Sequence, residues 1–355
     1  MLTGRKILVL ETDPMAAFPL GAALRKNGWI VIPAQDAAMA MSVARQQKPD
    51  AALLNSRLAG GGGLTALKRL RSSIYTTLIP IICIVASGTR EKEALVEAGA
   101  QETVDPPGDP QEIDAALRRH LERGEGVVQV PAAVLREPER VKALKESKLL
   151  DTPPDPELDR ISQLAARIAD TPQARLSIVD TDRQFFKSQV DFSPTPVTLR
   201  ETPLSNSICQ WVVGGEEELV VGDAREHPVL RSNLAVRDDG VVAYAGIPFS
   251  IDGHQILGSF CVVDSKPHGW SEAQVASLRD LGLVLRAAVI MRSETEEPPA
   301  KLRAVASALA GATNVLLRDE VLHGDAERLE LWHVIEELSG RLVQLAQMTQ
   351  TAAAS

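Results

Sequence analysis

The sequence predicts a multidomain protein of mixed class. It reads as an α/β module on a doubly wound five-stranded parallel sheet, an α+β module entered by an antiparallel hairpin, and a C-terminal α-helical hairpin. Three observations predict this. The 355 residues exceed the about 150 that one domain commonly holds. Over residues 5–123, short continuous apolar runs alternate with helical periods, the signature of strands covered on both faces by crossover helices. Beyond Pro299 the apolar residues step by threes and fours, as in paired helices.

In the first module the expected strands are Lys6–Leu10, Trp29–Pro33, Asp50–Leu54, Ile79–Val85 and a short Gln101–Val104. The expected helices are Ala16–Asn27, Ala37–Gln47, Gly63–Ser72, Thr89–Ala98 and Pro110–Glu122. Gly28 and Gly99 follow the first and fourth helices, where a left-handed residue stops a helix.

This order of elements comes with the acidic turn Leu10-Glu-Thr-Asp-Pro14, the strand Lys48-Pro-Asp-Ala-Ala-Leu-Leu-Asn55 and the turn Glu97-Ala-Gly-Ala100. Together they resemble a response-regulator receiver domain over residues 1–123. The resemblance implies Mg²⁺ held by carboxylates, an aspartate nucleophile ending the third strand, a hydroxyl ending the fourth and a lysine after the fifth, all serving a phosphoryl group. The positions that match the acid pair are Glu11 and Thr12, with Asp13 beyond. Asn55 stands at the nucleophile, Val85 at the hydroxyl with Ser87 nearby, and Asp105 at the lysine. An amide cannot accept the phosphoryl group as an aspartate does, so the expectation is a pseudo-receiver that lacks a phosphorylation switch. Gly60-Gly-Gly-Gly63 lacks the Gly-Lys-Ser/Thr order of a phosphate loop and is expected to be a mobile loop.

Residues 124–136 are rich in Gly, Val and Pro and read as a linker before a helix from Glu137 through Leu149. A helix over Ile161–Ala169 follows, then strands Ala174–Val179 and Gln184–Gln189 about the turn Asp180-Thr-Asp-Arg183. Later strands are Leu219–Val221, Ala243–Pro248 and Ile256–Val263. The closing helix is Ser271–Met291, with Ser271 as N-cap and Gln274 at the capping-box position.

The pieces Leu150-Asp-Thr-Pro-Pro154, Asp182-Arg-Gln-Phe-Phe-Lys-Ser188, Arg200-Glu-Thr-Pro203 with Ser207-Ile-Cys209, Val221-Gly-Asp-Ala224, Tyr244-Ala-Gly-Ile-Pro248 and Gly258-Ser-Phe-Cys-Val-Val-Asp264 resemble a bacterial GAF domain over residues 137–294. The resemblance implies a central antiparallel sheet with helices on one face and a pocket on the other. Relatives use that pocket for cyclic nucleotides, tetrapyrroles or metabolites, or leave it unused. By motif position Phe186, Ser188, Cys209, Asp223 and Tyr244 face the pocket; the competing reading places them in the core, where a free Cys packs as a small hydrophobe. Cys209-Gln-Trp lacks the His that follows a bilin-bearing Cys, so no chromophore is expected. A redox role for Cys209 with Cys261 lacks a cation close in sequence that would lower a thiol pKa. Asp223, His227, Asp252 and His254 have no tight metal-ligand spacing.

In the tail, expected to be a hairpin over residues 300–350, Leu302, Val305, Leu309, Ala312 and Leu316 form one seam. Leu331, Ile335, Leu338, Leu342 and Leu345 form another, after a break at His323-Gly-Asp325 with Asp325 as N-cap. Such a hairpin leaves apolar seams that a second copy would cover in a four-helix bundle, so a homodimer through these residues is expected. The tail is distantly similar to the dimerisation hairpin of histidine kinases. Its first helix lacks the His, however, and His333 lies in the second, as a solvated or interface residue or, alternatively, as a phosphoacceptor.

A net charge of -9 gives no general attraction to nucleic acid or anionic lipid. The excess lies in residues 124–297, with 18 basic against 27 acidic side chains. Three cysteines without C-x-x-C spacing suggest a reducing, cytoplasmic compartment. No apolar run reaches the roughly 20 residues of a membrane span. The sequence thus reads as a non-catalytic cytoplasmic signal-transduction protein without a cofactor, which meets another signalling protein such as a kinase or regulator. The alternatives are a degenerate histidine-kinase or phosphotransfer component using His333, and a small-molecule sensor acting through the GAF pocket.

Overall fold

The structure is a computed structural model that describes residues 4–58, 62–85, 89–121, 128–192, 199–292 and 298–354. The chain divides into two compact units, residues 1–126 and 127–355.

The first unit runs β1 (Lys6–Leu10), α1 (Pro14–Lys26), β2 (Ile30–Ala34), α2 (Ala37–Gln47), β3 (Ala51–Asn55), α3 (Gly62–Ser72), β4 (Ile81–Ile84), α4 (Thr89–Glu97), β5 (Glu102–Val104) and α5 (Pro110–His120). The sheet order is β2-β1-β3-β4-β5, every pair parallel. This is the doubly wound architecture expected. Ile7, Leu8, Ala52, Leu54, Ile81 and Ile82 are fully buried, because helices cover both faces and the strands therefore need apolar residues at consecutive positions. Pro33 is tolerated in β2 because β2 is an edge strand. Aspartates start three of the helices: Asp13, Asp36 and Asp109 accept from the backbone N–H groups of Met15, Met39 and Gln111 at 2.9, 2.7 and 2.8 Å. Gly28 and Gly99 have φ of 93° and 104°, the left-handed stops that the sequence implied.

The second unit begins earlier than expected. Val130 and Leu135, inside the stretch read as linker, are buried, and Val130 N–H donates to Gln210 Oε1 at 2.9 Å. Its elements are α6 (Ala132–Leu135), α7 (Pro138–Ser147), α8 (Pro156–Ile168), β6 (Gln173–Val179), β7 (Arg183–Asp191), β8 (Glu201–Pro203), α9 (Cys209–Gly215), β9 (Leu219–Val221), α10 (Leu234–Arg237), β10 (Ala243–Phe249), β11 (Gly258–Asp264), α11 (Glu272–Arg292), α12 (Pro298–Leu316) and α13 (Asp325–Ala354). The six strands form one antiparallel sheet in the order β8-β7-β6-β11-β10-β9. Helices α8 and α11 pack on the face that carries Ala174, Leu176, Ile178, Phe260 and Val262. The capping box ahead of α11 is formed: Gln274 N–H donates to Ser271 Oγ at 3.1 Å, and Ser271 N–H to Gln274 Oε1 at 3.0 Å.

Helix α8 starts about a turn before the Ile161 that the apolar spacing suggested. Asp155 caps it by accepting from Glu157 and Leu158, and Pro156 opens its first turn.

The helical tail requires a correction. Its two helices form as the spacing implied, but their seams are covered within the chain. Val305 and Leu331 are fully buried, Leu338 and Leu345 nearly so, and Leu302, Leu309, Leu316, Ile335 and Leu342 pack half-buried against the same core. That core is shared with α11 and α8, a partner the hairpin argument had not counted. Gly311 makes the approach close, since a Cβ there would meet the Asp280 carbonyl oxygen of α11 at 2.7 Å. Ion pairs tie the layer down: Arg318–Asp280 at 2.6 Å, Arg160–Glu337 and Arg167–Glu330 at 3.0 Å, and Arg341–Glu157 at 3.1 Å.

Candidate functional site

In an open parallel sheet, ligands meet the crevice at the carboxyl ends of the strands where the order reverses. Here that point lies between β1 and β3, and it carries Glu11 and Asn55. Glu11 is 7% exposed, and both its oxygens are occupied. Asn55 Nδ2 donates to Oε2 at 2.6 Å, and the Asp13 backbone N–H donates to Oε1 at 2.9 Å. Asn55 Oδ1 in turn accepts from the Arg57 N–H at 3.0 Å. Asp13 is spent as the cap of α1, and Thr12 supplies only a hydroxyl. Val85 is fully buried, continuing the core of β4 with its N–H donated to Val104 O at 3.0 Å. Asp105 points outward and pairs with Lys92 Nζ at 2.6 Å. Ser87 lies outside the described residues.

A hard dication takes six or more oxygens, some of them charged. One carboxylate whose two oxygens already have donors, an amide and a hydroxyl do not make that set. The crevice residues do not fit Mg²⁺, and among the described residues no group of three His, Cys, Asp or Glu could hold a metal.

The glycine run is read differently by the structure where it is described. Gly62 and Gly63 open α3, and a Cβ on Gly63 would sit 2.5 Å from Ser56 Cα. Gly63 therefore lets α3 close against the end of β3, with its N–H on Ser56 O at 2.8 Å. Gly60 and Gly61 lie outside the described residues.

The GAF-like sheet turns its other face to a cavity of about 30 Å³ lined by Arg175, Ser177, Phe186, Cys209, Tyr244 and Cys261, among others. Phe186, Cys209 and Tyr244 are thus brought together as the motifs suggested. Ser188 is not. A β-bulge between Leu176 and Ser177 sets Ser188 opposite Leu176 and Phe186 opposite Ser177, leaving Lys187 as the extra residue. The alternation inverts there, and Ser188 faces the helices, bonded to Ser162 Oγ at 2.8 Å and Asp159 at 2.7 Å. Asp223 also lies outside the cavity, in a two-point pair with Arg225 at 2.6 and 2.9 Å that holds its carboxyl below the usual range.

Gly246 lets the Tyr244 ring fold over the sheet: a Cβ would meet Tyr244 Oη at 2.3 Å. So placed, Oη donates to Cys209 Sγ at 3.3 Å and lies 3.0 Å from Ser259 Oγ. Cys209 and Cys261 are free and buried, with their sulfurs 3.8 Å apart. The hydrogen bond from Cys261 pulls the Cys209 thiol below its ordinary pKa, aided by Tyr244 and the charge of Arg175, against the opposing effect of burial. Giving that hydrogen bond, and its burial, push Cys261 up. Arg175 is the residue that sequence reasoning missed. It pairs with Cys261 across the β6–β11 ladder and stacks 4.8 Å over Phe186.

The cavity is about a tenth of the roughly 300 Å³ at which ligand pockets begin. A roomier cleft of about 410 Å³ lies on the helix side, lined by Ala143, Leu149, Lys187, Ile251, Val289 and Arg292 among others. Lys187 Nζ is committed there to Thr152 Oγ1 at 2.8 Å and Pro153 O at 3.0 Å. In the tail, His333 is exposed on α13.

Residues 7–118 match the family model of the response regulator receiver domain, and residues 153–289 that of the GAF domain. Over 143 residues the chain is 31% identical to a cyclic di-GMP phosphodiesterase of Pseudomonas aeruginosa, which covers 40% of this chain and 24% of that protein. Over 135 residues it is 30% identical to the phosphate regulon transcriptional regulatory protein PhoB of the same organism, covering 38% of this chain and 59% of PhoB. The chain thus spans about a quarter and about three fifths of these two relatives. Among solved structures, the receiver domain of a Pseudomonas aeruginosa sensor histidine kinase, with magnesium in its active site cleft, is 27% identical. The match covers 34% of this chain and 100% of that one, with a TM-score of 0.32.

Proposed function

The chain carries a response regulator receiver domain followed by a GAF domain, the build of a signal-transduction protein, and we propose that it signals without accepting phosphate. One observation carries this reading: the side chain at the end of β3 is a carboxamide whose Nδ2 is bonded at 2.6 Å to the buried carboxylate of the crevice. An amide is not a phosphoryl nucleophile, and its N–H gives the Glu11 carboxylate a hydrogen-bond partner that is not a metal. Val85 and Asp105 support the reading, since neither offers the hydroxyl or the cation that would stabilise a phosphoryl group. The chain is then non-catalytic and works in the cytoplasm by contact with a kinase or another regulator. The test is a titration of the ¹⁵N-labelled protein with Mg²⁺ and beryllofluoride, a phosphoryl mimic. No amide around Asn55 is expected to shift, and a saturable shift there overturns the proposal.

The same reading includes a homodimer, formed on a surface other than the one the leucine steps suggested. Leu329, Trp332 and Val343 share one face of α13 and are 56%, 62% and 56% exposed. Gly340 lies on that face with nothing within 4 Å of an added Cβ, leaving room for a helix to approach. An exposed apolar stripe of this kind favours association. Native mass spectrometry is expected to give a dimer for the wild type and a monomer for Trp332→Glu, and a wild-type monomer at micromolar concentration contradicts it.

A further inference from the structure

Cys209 opens α9 and Cys261 sits in β11, on the cavity face of the sheet. Their sulfurs, 3.8 Å apart, would need to approach by only about 1.8 Å to reach bonding distance. Both line the 30 Å³ cavity, which holds one molecule of about the size of water or slightly larger. The surroundings differentiate the two sulfurs. Tyr244 Oη donates to Cys209 Sγ, Cys261 S–H faces it, and the guanidinium of Arg175 stands over the adjoining Phe186 ring, with its Nε buried and unpartnered among the described residues. A thiolate at Cys209 is received by the Tyr244 hydroxyl and faces Cys261 Sγ, while the charge of Arg175 favours a thiolate on either sulfur; the direct Tyr244 bond is what sets Cys209 apart.

We propose that Cys209 and Cys261 form a reversible peroxide-responsive dithiol, Cys209 being the attacking sulfur and Cys261 the resolving one. In the first step Cys209 Sγ attacks one oxygen of hydrogen peroxide, the oxidant small enough for the cavity. The O–O bond breaks, the departing hydroxide takes up a proton and leaves as water, and Cys209 becomes a sulfenic acid. In the second step the Cys261 sulfur attacks Cys209 Sγ and the S–S bond forms as the S–O bond breaks. The leaving hydroxide takes the Cys261 proton and departs as water. The two sulfurs together lose two electrons, and the peroxide is reduced to two waters. A dithiol reductant reverses the change by exchange.

Cys83 provides an internal control. It is buried in the first unit, where burial pushes its thiol up to about 12 despite nearby Arg71, so it stays protonated and unreactive.

The test exposes the full chain at neutral pH to one to ten equivalents (about) of hydrogen peroxide, then denatures it, alkylates free thiols and maps the peptides. Two of the three thiols are expected to disappear together, with a mass loss of about 2 Da, one Cys209–Cys261 linked peptide, and full recovery after dithiothreitol. In Cys261→Ser the reaction is expected to stop at a sulfenic acid on Cys209 that dimedone traps. Persistence of both thiols, oxidation of Cys83 in their place, or a bond formed only between chains overturns the proposal. The wild-type measurement needs no variant, so a Cys261→Ser protein that does not fold leaves the test intact. No outcome bears on whether the receiver accepts phosphate.

Discussion

Replacing Arg71 with Met is expected to lower the unfolding free energy of the first unit by about 3–5 kcal/mol, because several buried carbonyls lose their donor at once. Arg71 is 5% exposed and has no carboxylate partner among the described residues. Its charge is held instead by oxygens: Nη1 donates to Thr76 O and Thr77 O at 3.1 Å and to Ile79 O at 2.9 Å, Nε to Gly99 O at 2.8 Å, and Nη2 to Gln101 Oε1 at 2.5 Å. One side chain thereby pins the α3–β4 and α4–β5 connections together. Burial lowers its pKa to about 10, which still leaves it ionised at neutral pH. Met fills the volume but takes the donor from four backbone carbonyls, while Gln101 Oε1 keeps the Ile81 N–H at 2.7 Å, and an unmet buried acceptor costs about 1–3 kcal/mol. Lys is expected to rescue little, because a single ammonium cannot span that fork of oxygens. Chemical denaturation followed by the backbone amide NMR signals of β1–β5 checks this, and a loss under about 1 kcal/mol contradicts it.

Asn55→Asp is expected to cost about 1–3 kcal/mol at pH 7 without divalent cations, because it sets a second, half-buried carboxylate against the buried Glu11. It puts a second carboxylate where Nδ2 now lies 2.6 Å from the Glu11 oxygen. Two such groups share a proton, so the folded pair binds protons more tightly than the unfolded chain does. Stability then falls as pH rises through the raised folded pKa, and the deficit against wild type shrinks on acidification toward the carboxylate range. Millimolar Mg²⁺ should restore part of the loss in the variant and leave the wild type unmoved. A variant as stable as wild type at pH 7, or a deficit that grows on acidification, contradicts this account of the crevice.

How much of this was legible in the sequence follows from which signals are local. The parallel sheet was readable because strands covered on both faces announce themselves as unbroken apolar runs, and Val85 fell into place at the end of β4. Tyr244 and Cys209 were named from their places in the GAF-like motifs, and the structure sets both on the cavity wall. Ser188 was misplaced because nothing in Gln184-Phe-Phe-Lys-Ser188 marks the bulge that makes Lys187 supernumerary. The importance of Arg71 and Arg175 was invisible for another reason. Each acts on partners brought in by tertiary structure, Arg71 on two distant turns and Arg175 on a cysteine across the ladder. The steps in the tail gave both helices correctly, but a seam's spacing does not name what covers it, and α11 proved to be the cover.

The central claim, that the receiver signals without accepting phosphate, is tested most directly by intact-mass analysis of the full chain after incubation with a small-molecule phosphodonor and Mg²⁺. The account predicts an unchanged mass. A gain of about 80 Da mapping to residues 7–118 would contradict it.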